Sequence, residues 1–486
     1  MSFLISSVRR QLIGAFTAVS LVFMVAIVLA WTGSSKALML AVALLAVLVA
    51  GVISLTLSRD FSRRINQLLD GIESLDADAL AGLENGLAAI AQGDLTHEVQ
   101  PEIAEIDTTR EDEIGELART FNGMVQKTEA SVAAYNATTG KEVWRFHNVP
   151  EPGEPGNNTW ADDSWVHGGA SVWTTGSYDP DLNLTYWGTG NAGPDFDGDA
   201  RLGDNLYCNS VVALDADTGK IKWHYQFSPH DERDWDAAQI PLLADIQWPG
   251  ANGQAQARKV MMWGNRNGVF YVLDRTTGKF LLGKPLTTIN WLANFDENGR
   301  PIWAEGKLPQ AGGERVLLYP GVEGGTSWYS PSFSPRTGLF YVSTWDNYFQ
   351  NVNKPAKPQP FVEGGVFGGG GGGGGNIGWN GGNVTVREEK DGFGAVRAFD
   401  PKTGEKKWEY KMTDITMAGV LSTATDVVFS GAHDGRFFAL DARTGAELWK
   451  TQLAGAVYSG AMTYSVNGKQ FVAVSGGNTL HVFALK

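Results

Sequence analysis

Thiol chemistry is almost missing from this 486-residue chain, in which Cys208 is the single cysteine. No intrachain disulfide can form, and a metal site built on several cysteines is excluded. Positive charge is also in short supply, with 39 Lys and Arg against 53 Asp and Glu and a formal net charge of −14. That balance argues against a nucleic-acid partner, which needs a basic face to neutralise phosphates. It suits a bound counter-charge such as calcium better. Histidine is sparse too: His230 and His433 read as structural or turn residues, with no zinc-like cluster around them. Aromatics are few in residues 1 to about 130, whereas most of the 17 tryptophans, 60 glycines and 19 prolines lie beyond. Length predicts two or more units, and the composition predicts a mixed class, a helical segment followed by an all-β one.

Residues 12–31 and 38–57 are two charge-free runs. Each is long enough, at ~1.5 Å per helical residue, to cross a ~30 Å hydrocarbon layer. They predict a transmembrane hairpin over 1–57, with a cleaved signal sequence as the alternative for the first run. Arg9 and Arg10 flank one outer end and Arg59, Arg63 and Arg64 the other, which places both ends in the cytoplasm. Beyond the second run, Ile65, Leu68, Leu69, Ile72 and Leu75 recur at helical spacing, Gly93-Asp94-Leu95 ends that pattern, and Asp112-Glu-Ile-Gly-Glu-Leu117 opens a second helix. This arrangement resembles the HAMP domain of bacterial membrane receptors such as methyl-accepting chemotaxis proteins. The resemblance implies a dimeric helical relay in signal transduction over residues 58–130, with a plain amphipathic stalk as the alternative.

From Ala134 one pattern recurs, an apolar strand, an Asp/Asn-x-x-Thr-Gly turn and a strand bearing an aromatic. Its turn glycines are Gly140, Gly219, Gly278, Gly404 and Gly445, and Trp144, Trp223, Trp408 and Trp449 follow four of them. Such repeats are hairpins of four-stranded blades, so residues 131–486 predict an all-β propeller with these tryptophans packed between blades. Wider intervals at residues 195–205 and 290–311 leave room for excursions. The eight successive glycines at 368–375 predict a flexible loop.

Several polar stretches are set into this repeat: Trp173, then Gly188-Thr-Gly-Asn191, Pro229-His-Asp-Glu-Arg-Asp234, Asn265-Arg-Asn-Gly268 and Gly325-Thr-Ser-Trp328. Taken alone, Asn191 reads as a turn residue and Trp173 as a core tryptophan. In order and spacing these stretches resemble the quinoprotein alcohol dehydrogenases, β-propeller enzymes that use pyrroloquinoline quinone (PQQ) and calcium. The resemblance implies that Asn191 and Asp234 hold the metal and that Asp234 is also the general base taking the alcohol proton as hydride leaves for the quinone. It implies that Trp173 lies flat against the quinone, that Arg266 sits near the quinone oxygens and the base, and that Ser327 occupies a position where many relatives have a cofactor-contacting asparagine. Asp231 and Asp236 read as solvated or turn-forming carboxylates. A small alcohol as substrate, and cytochrome c or a membrane quinone as electron acceptor, are implied in the same way.

The resemblance begins in the middle of that family's fold and leaves about five of its eight blades. The portion expected before Ala134 carries a vicinal cysteine pair and a calcium-ligating glutamate. Counting back for the glutamate reaches Phe121-Asn-Gly-Met124, inside the helical segment, and Cys208 cannot replace a vicinal pair. The combined expectation is a membrane-anchored, impaired alcohol dehydrogenase of the inner membrane. Its rivals are a non-enzymatic binding propeller, a HAMP-containing receptor, and the artificial joining of two reading frames near residues 129–134. The charge pattern puts the propeller in the cytoplasm, whereas the family works in the periplasm. A reporter fused after Lys486 is expected to report a cytoplasmic location, and periplasmic reporter activity would overturn the two-span reading.

Overall fold

The structure is a computed structural model that describes residues 130–250, 254–354, 356–358 and 392–484. The expected transmembrane hairpin, the HAMP-like helices up to residue 129 with their dimer, and the glycine run at 368–375 lie outside the described residues. Among the described residues no helix is long and apolar enough to cross a membrane. The chain divides into two units, Met1–Thr128 with Tyr135–Glu142, and Glu129–Ala134 with Val143–Lys486. The second carries nearly all of the described structure.

That structure is all-β and propeller-like. Strands β1 (Ser131–Tyr135) and β2 (Glu142–His147) form a two-stranded sheet. Four-stranded antiparallel sheets follow from β3 (Ser177–Asp179), β4 (Leu184–Gly188), β5 (Ser210–Asp215) and β6 (Ile221–Gln226), and from β7 (Leu242–Pro249), β8 (Ala255–Gly264), β9 (Val269–Asp274) and β10 (Phe280–Pro285). A hairpin of β11 (Leu292–Phe295) and β12 (Pro301–Trp303) comes next, then β13 (Val316–Leu318). The third full sheet contains β14 (Ser332–Ser334) and β15 (Leu339–Asp346); after β16 (Gln350–Val352), which pairs back to β13, it is completed by β17 (Phe393–Phe399) and β18 (Lys406–Met412). The fourth is β19 (Leu421–Ser422), β20 (Val427–Gly431), β21 (Arg436–Asp441) and β22 (Glu447–Gln452). The last sheet has three strands, β23 (Met462–Val466), β24 (Lys469–Gly476) and β25 (Thr479–Ala484). Among the described residues, four complete blades and two partial ones thus stand where the repeat predicts about five.

Local chemistry explains the hairpins. In the β5–β6 turn, Asp215 Oδ1 accepts the Thr218 N–H (3.1 Å) and hydroxyl (2.9 Å), and Gly219 takes φ +68°. Asp441, Thr444 and Gly445 repeat the arrangement between β21 and β22. An L side chain is disfavoured at such a φ, so glycine closes the turn. The same glycines set the packing between sheets. A Cβ on Gly219 would lie 2.4 Å from Trp144, on Gly278 2.6 Å from Trp223, and on Gly445 2.7 Å from Trp408. Each indole therefore lies across the bare turn of the following blade. Trp144 and Trp408 also donate Nε1–H to the carbonyls of Ala216 (2.9 Å) and Ala442 (3.0 Å) on that same turn.

The core sits between successive sheets. Tyr186, Trp223, Trp263 and Tyr271 belong to one buried cluster, Met262, Phe270, Phe340 and Phe399 to the next, and Tyr341, Trp408, Phe438 and Leu440 to a third. Residues 290–311, expected as an excursion, form a hairpin outside the four-stranded sheets that sends two rings into the core: Trp291 is buried, and Trp303 stacks on Trp235 at 6.3 Å between ring centres.

The stack ends unevenly. Trp223 and Trp408 are 9% and 8% exposed, but Trp449 is 40% exposed. No fourth strand follows β25 among the described residues, so no Thr-Gly turn covers Trp449. A groove of about 390 Å³ remains beside it, lined by Phe429, Leu448, Val472 and Phe483. Trp408→Ala is therefore expected to lower stability by about 3–5 kcal/mol, the usual cost of deleting a buried tryptophan. Trp449→Ala should cost far less. Unfolding midpoints of the two variants, followed by circular dichroism, check the difference.

Candidate active site

The site grows out of the loops at the ends of β4, β6 and β8. Beyond β4, the Gly-Thr-Gly run carries the backbone against the 234–237 segment: a Cβ on Gly190 would lie 2.8 Å from Asp236 Oδ1. Glycine at that position lets the chain deliver Asn191, whose N–H donates to Asp236 Oδ1 at 2.7 Å. The Asn191 side chain donates Nδ2–H to Asp195 Oδ1 (2.8 Å) and to the Ala192 carbonyl (3.3 Å). On the same frame, Ser171 O accepts the Gly190 N–H at 2.8 Å, two residues before Trp173. The Trp173 indole is 45% exposed, an open apolar surface beside polar groups.

Arg266 sits in the tight β8–β9 turn, where Asn265 Oδ1 accepts the Asn267 N–H (2.9 Å) and Asn267 Oδ1 the Val269 N–H (3.1 Å). Its guanidinium is buried, and each of its three nitrogens donates a hydrogen bond. Nε donates to Val322 O (2.9 Å), Nη1 to Asp236 Oδ2 (2.6 Å) and Nη2 to Asp234 Oδ2 (3.3 Å). Ser327 is buried in the loop whose Gly325 N–H donates to the Arg266 carbonyl at 3.0 Å. Asn191, Asp234 and Arg266 are thus brought together, with Asp236 as the link. Trp173 and Ser327 each follow by two residues a backbone contact to that frame, at Ser171 and at Gly325.

Electrostatics in this cluster oppose ionised carboxylates. Burial pushes Asp234 well above the ordinary carboxylate range; Arg266 pulls it down, while Asp236, Asp195 and Asp231 add repulsion. Asp195 is pushed up to about 6, by burial first, against the Asn191 hydrogen bond and with repulsion from Asp236. Burial works against the Arg266 charge, but Asp234, Asp236 and Glu323 outweigh it and hold the guanidinium above its usual value. Asp234 adopts φ +58°, an uncommon backbone state for a non-glycine residue that recurs at functional positions.

Three sequence readings need correction. Asp231 and Asp236 are not solvated: they are 3% and 6% exposed, Asp231 Oδ2 accepts the Trp235 N–H (3.0 Å), and Asp236 holds both Asn191 and Arg266. His230 does have acidic company. Its ring, Asp199 and Glu232 place ligand-type atoms within 4.8 Å of one another. The Lys354 ammonium pairs with Asp199 at 2.9 Å and with Glu232, so a cation already serves that knot. Residues 195–205 form the expected excursion, between β4 and β5, and it folds inward: Arg201 is fully buried there and Asp195 reaches the site. Spacing gave no sign of Asp195, whereas Asp236 lay one residue pair beyond the matched aspartate. Cys208 is buried with its thiol pushed up by burial, unsuited to redox pairing.

Set beside known proteins, residues 83–290 match the glucose/ethanol/alcohol dehydrogenase β-propeller domain, and residues 392–486 match a family described as outer membrane protein assembly factor BamB. The first match starts inside the segment read above as HAMP-like. Quinohemoprotein alcohol dehydrogenase ADH-IIG of Pseudomonas putida is 36% identical over 364 residues, 71% of this chain and 49% of its own length. Quinoprotein alcohol dehydrogenase PedH of Pseudomonas putida is 34% identical over 71% of this chain and 58% of its own. Among solved structures, ADH-IIG aligns with a TM-score of 0.61 at 34% identity, and a europium-containing methanol dehydrogenase with 0.62 at 30%, covering 71% of this chain and 60% of that one. The chain spans about half the length of the curated relatives it matches. The Gly-Thr-Gly-Asn segment and the Asp–Arg cluster lie within residues 83–290, so the site stands in the part of the chain that matches the alcohol dehydrogenase propeller domain, and the chain is similar over 71% of its length to quinoprotein alcohol dehydrogenases.

Proposed function

We propose that this chain is the metal- and PQQ-facing part of a quinoprotein alcohol dehydrogenase, that it oxidises a small alcohol at a greatly reduced rate, and that it is anchored to the inner membrane. The observation that carries this reading is the hydrogen-bonded set Asn191–Asp236–Arg266–Asp234. Its donors are all oxygen, an amide and carboxylates, which suits a hard cation such as calcium or a trivalent lanthanide and not a thiolate-seeking one. Asn191 and Asp234 would hold the metal, and the exposed Trp173 face would take one side of the quinone. When bound, the quinone supplies the two-electron acceptor and the metal a Lewis acid.

The chain's own residues account for the proton. Asp234 acts on an alcohol O–H only as a carboxylate, and its burial among Asp236, Asp195 and Asp231 favours the protonated form. Arg266 opposes that, and a cation beside Asp234 adds to the opposition. Arg266 also donates toward the place where negative charge develops, with its fork fixed by Val322 O and Asp236. The reduced rate is the expectation where no other segment supplies the glutamate and vicinal cysteines that the family resemblance implies. Two such losses of a few kcal/mol each lower a rate by several orders of magnitude, since ~1.4 kcal/mol is a factor of ten. Cytochrome c or a membrane quinone is the proposed electron acceptor.

The direct test is dye-linked alcohol oxidation by the full chain with added PQQ and calcium or a lanthanide, beside Asp234→Asn. Weak quinone binding, with turnover several orders below that of ADH-IIG and abolished in Asp234→Asn, is the expected result. Turnover that survives Asp234→Asn would remove Asp234 from the chemistry. Arg266 is also the buried counter-charge of two carboxylates, so Arg266→Ala should cost about 3–5 kcal/mol in the metal-free protein, as when one partner of a buried ion pair is lost. Added metal should restore part of that loss. Chemical unfolding with and without metal measures both effects.

A further inference from the structure

We infer that Asp195 is a positioning residue which fixes the Asn191 amide so that its oxygen, and not its nitrogen, faces the metal. The inference rests on the metal reading above. A primary amide has nearly the same shape in its two flipped orientations, but only Oδ1 can ligate a cation, and an inward NH₂ group would repel it. Something must therefore choose between them. Asn191 Nδ2 has two acceptors, Asp195 Oδ1 at 2.8 Å and the Ala192 carbonyl at 3.3 Å. A flipped amide would place Oδ1 against the Asp195 carboxylate at the same distance, acceptor facing acceptor. The backbone side of Asn191 is fixed independently, because its N–H donates to Asp236 and its carbonyl accepts the Ala170 N–H at 2.8 Å.

Asp195 is itself held firmly. The fully buried Arg201 donates Nε–H and Nη2–H to the carbonyl of Pro194, at 3.2 and 2.9 Å, and the next side chain, Phe196, is buried. Arg201 is anchored in turn by Asn205 Oδ1 at 2.8 Å and by the Asp231 carbonyl. Residues 195–205 thus form a brace running from the 229–236 loop back to the Asn191 amide. Groups that orient a metal ligand in this way typically matter about 10–100-fold in metal affinity.

The experiment is europium(III) binding to the full chain, read by calorimetry and by the luminescence lifetime in H₂O and D₂O, which counts water molecules on the ion. Asp195→Ala should bind about 10–100-fold more weakly and leave the ion with additional water where Asn191 Oδ1 has been lost. Asp195→Asn, which can still offer an oxygen to Nδ2–H, should recover most of the affinity and the lower water count. If Asp195→Ala does not fold, Asp195→Ser, too short to reach the amide, takes its place. Unchanged affinity and water count in the folded alanine or serine variant would overturn the positioning role while leaving the metal site standing. Failure of the unsubstituted chain to bind europium(III) or calcium would overturn both.

Discussion

Each full blade is tied to a neighbour by a flat ring laid on a bare backbone. Because Gly219, Gly278 and Gly445 have no Cβ, the indoles of Trp144, Trp223 and Trp408 can cover the turns directly. Two requirements meet in one residue: the turn needs positive φ, and the preceding blade needs an unobstructed surface. Successive blades are thereby held in contact at these turns, and the loops beyond β4, β6 and β8 meet in the hydrogen bonds among Asn191, Asp236 and Arg266. The β7–β10 blade departs from the scheme. Its outer strand presents Leu282 and Lys284 to Gly404 in place of an indole.

The active-site cluster is a consequence of that proximity and also a strain upon it. Asp195, Asp231, Glu232, Asp234 and Asp236 are gathered by two loops, and burial raises the cost of their charges. The fold meets that cost locally. Arg266 serves Asp234 and Asp236, Lys354 serves Glu232 and Asp199, and Arg233 sits beside Glu232 with its guanidinium over the Trp303 ring at 5.2 Å. The acidic excess of the whole chain thus has a structural counterpart in a site that holds more carboxylate than its own cations balance, which is the condition under which a hard metal ion is bound well.

Much of this was legible in the sequence where a single turn or strand decides the outcome. Asp, Thr and Gly at fixed offsets specify the hairpin turn by local hydrogen bonds, so the repeats and the propeller-like architecture could be read directly. Asn191, Asp234 and Arg266 were readable because their flanks match a family. Asp236 was misread for a physical reason. It lies in a loop outside the strand repeat, where neither period nor turn pattern signals burial, and only the approach of Arg266 and of the Asn191 backbone shows that it faces the same way as Asp234. Asp195 and Trp291 were hidden by a different cause. Both lie in wide intervals between repeats, where spacing carries no information, and only the folded path shows which of their side chains turn inward.

The placement of Asp236 has one further consequence. Its two oxygens serve different masters, Oδ1 the Asn191 backbone and Oδ2 the Arg266 guanidinium. A ligand backbone and a counter-charge are therefore coupled through one carboxylate. A cation drawn to Asp234 competes with Arg266 for the same negative charge, and any shift of the guanidinium is felt at Asn191 through that shared group. Gly190 makes the coupling possible, since a side chain there would occupy the space of Oδ1. The Gly-Thr-Gly-Asn segment and the Asp-Trp-Asp segment consequently act as one unit, and neither is positioned without the other.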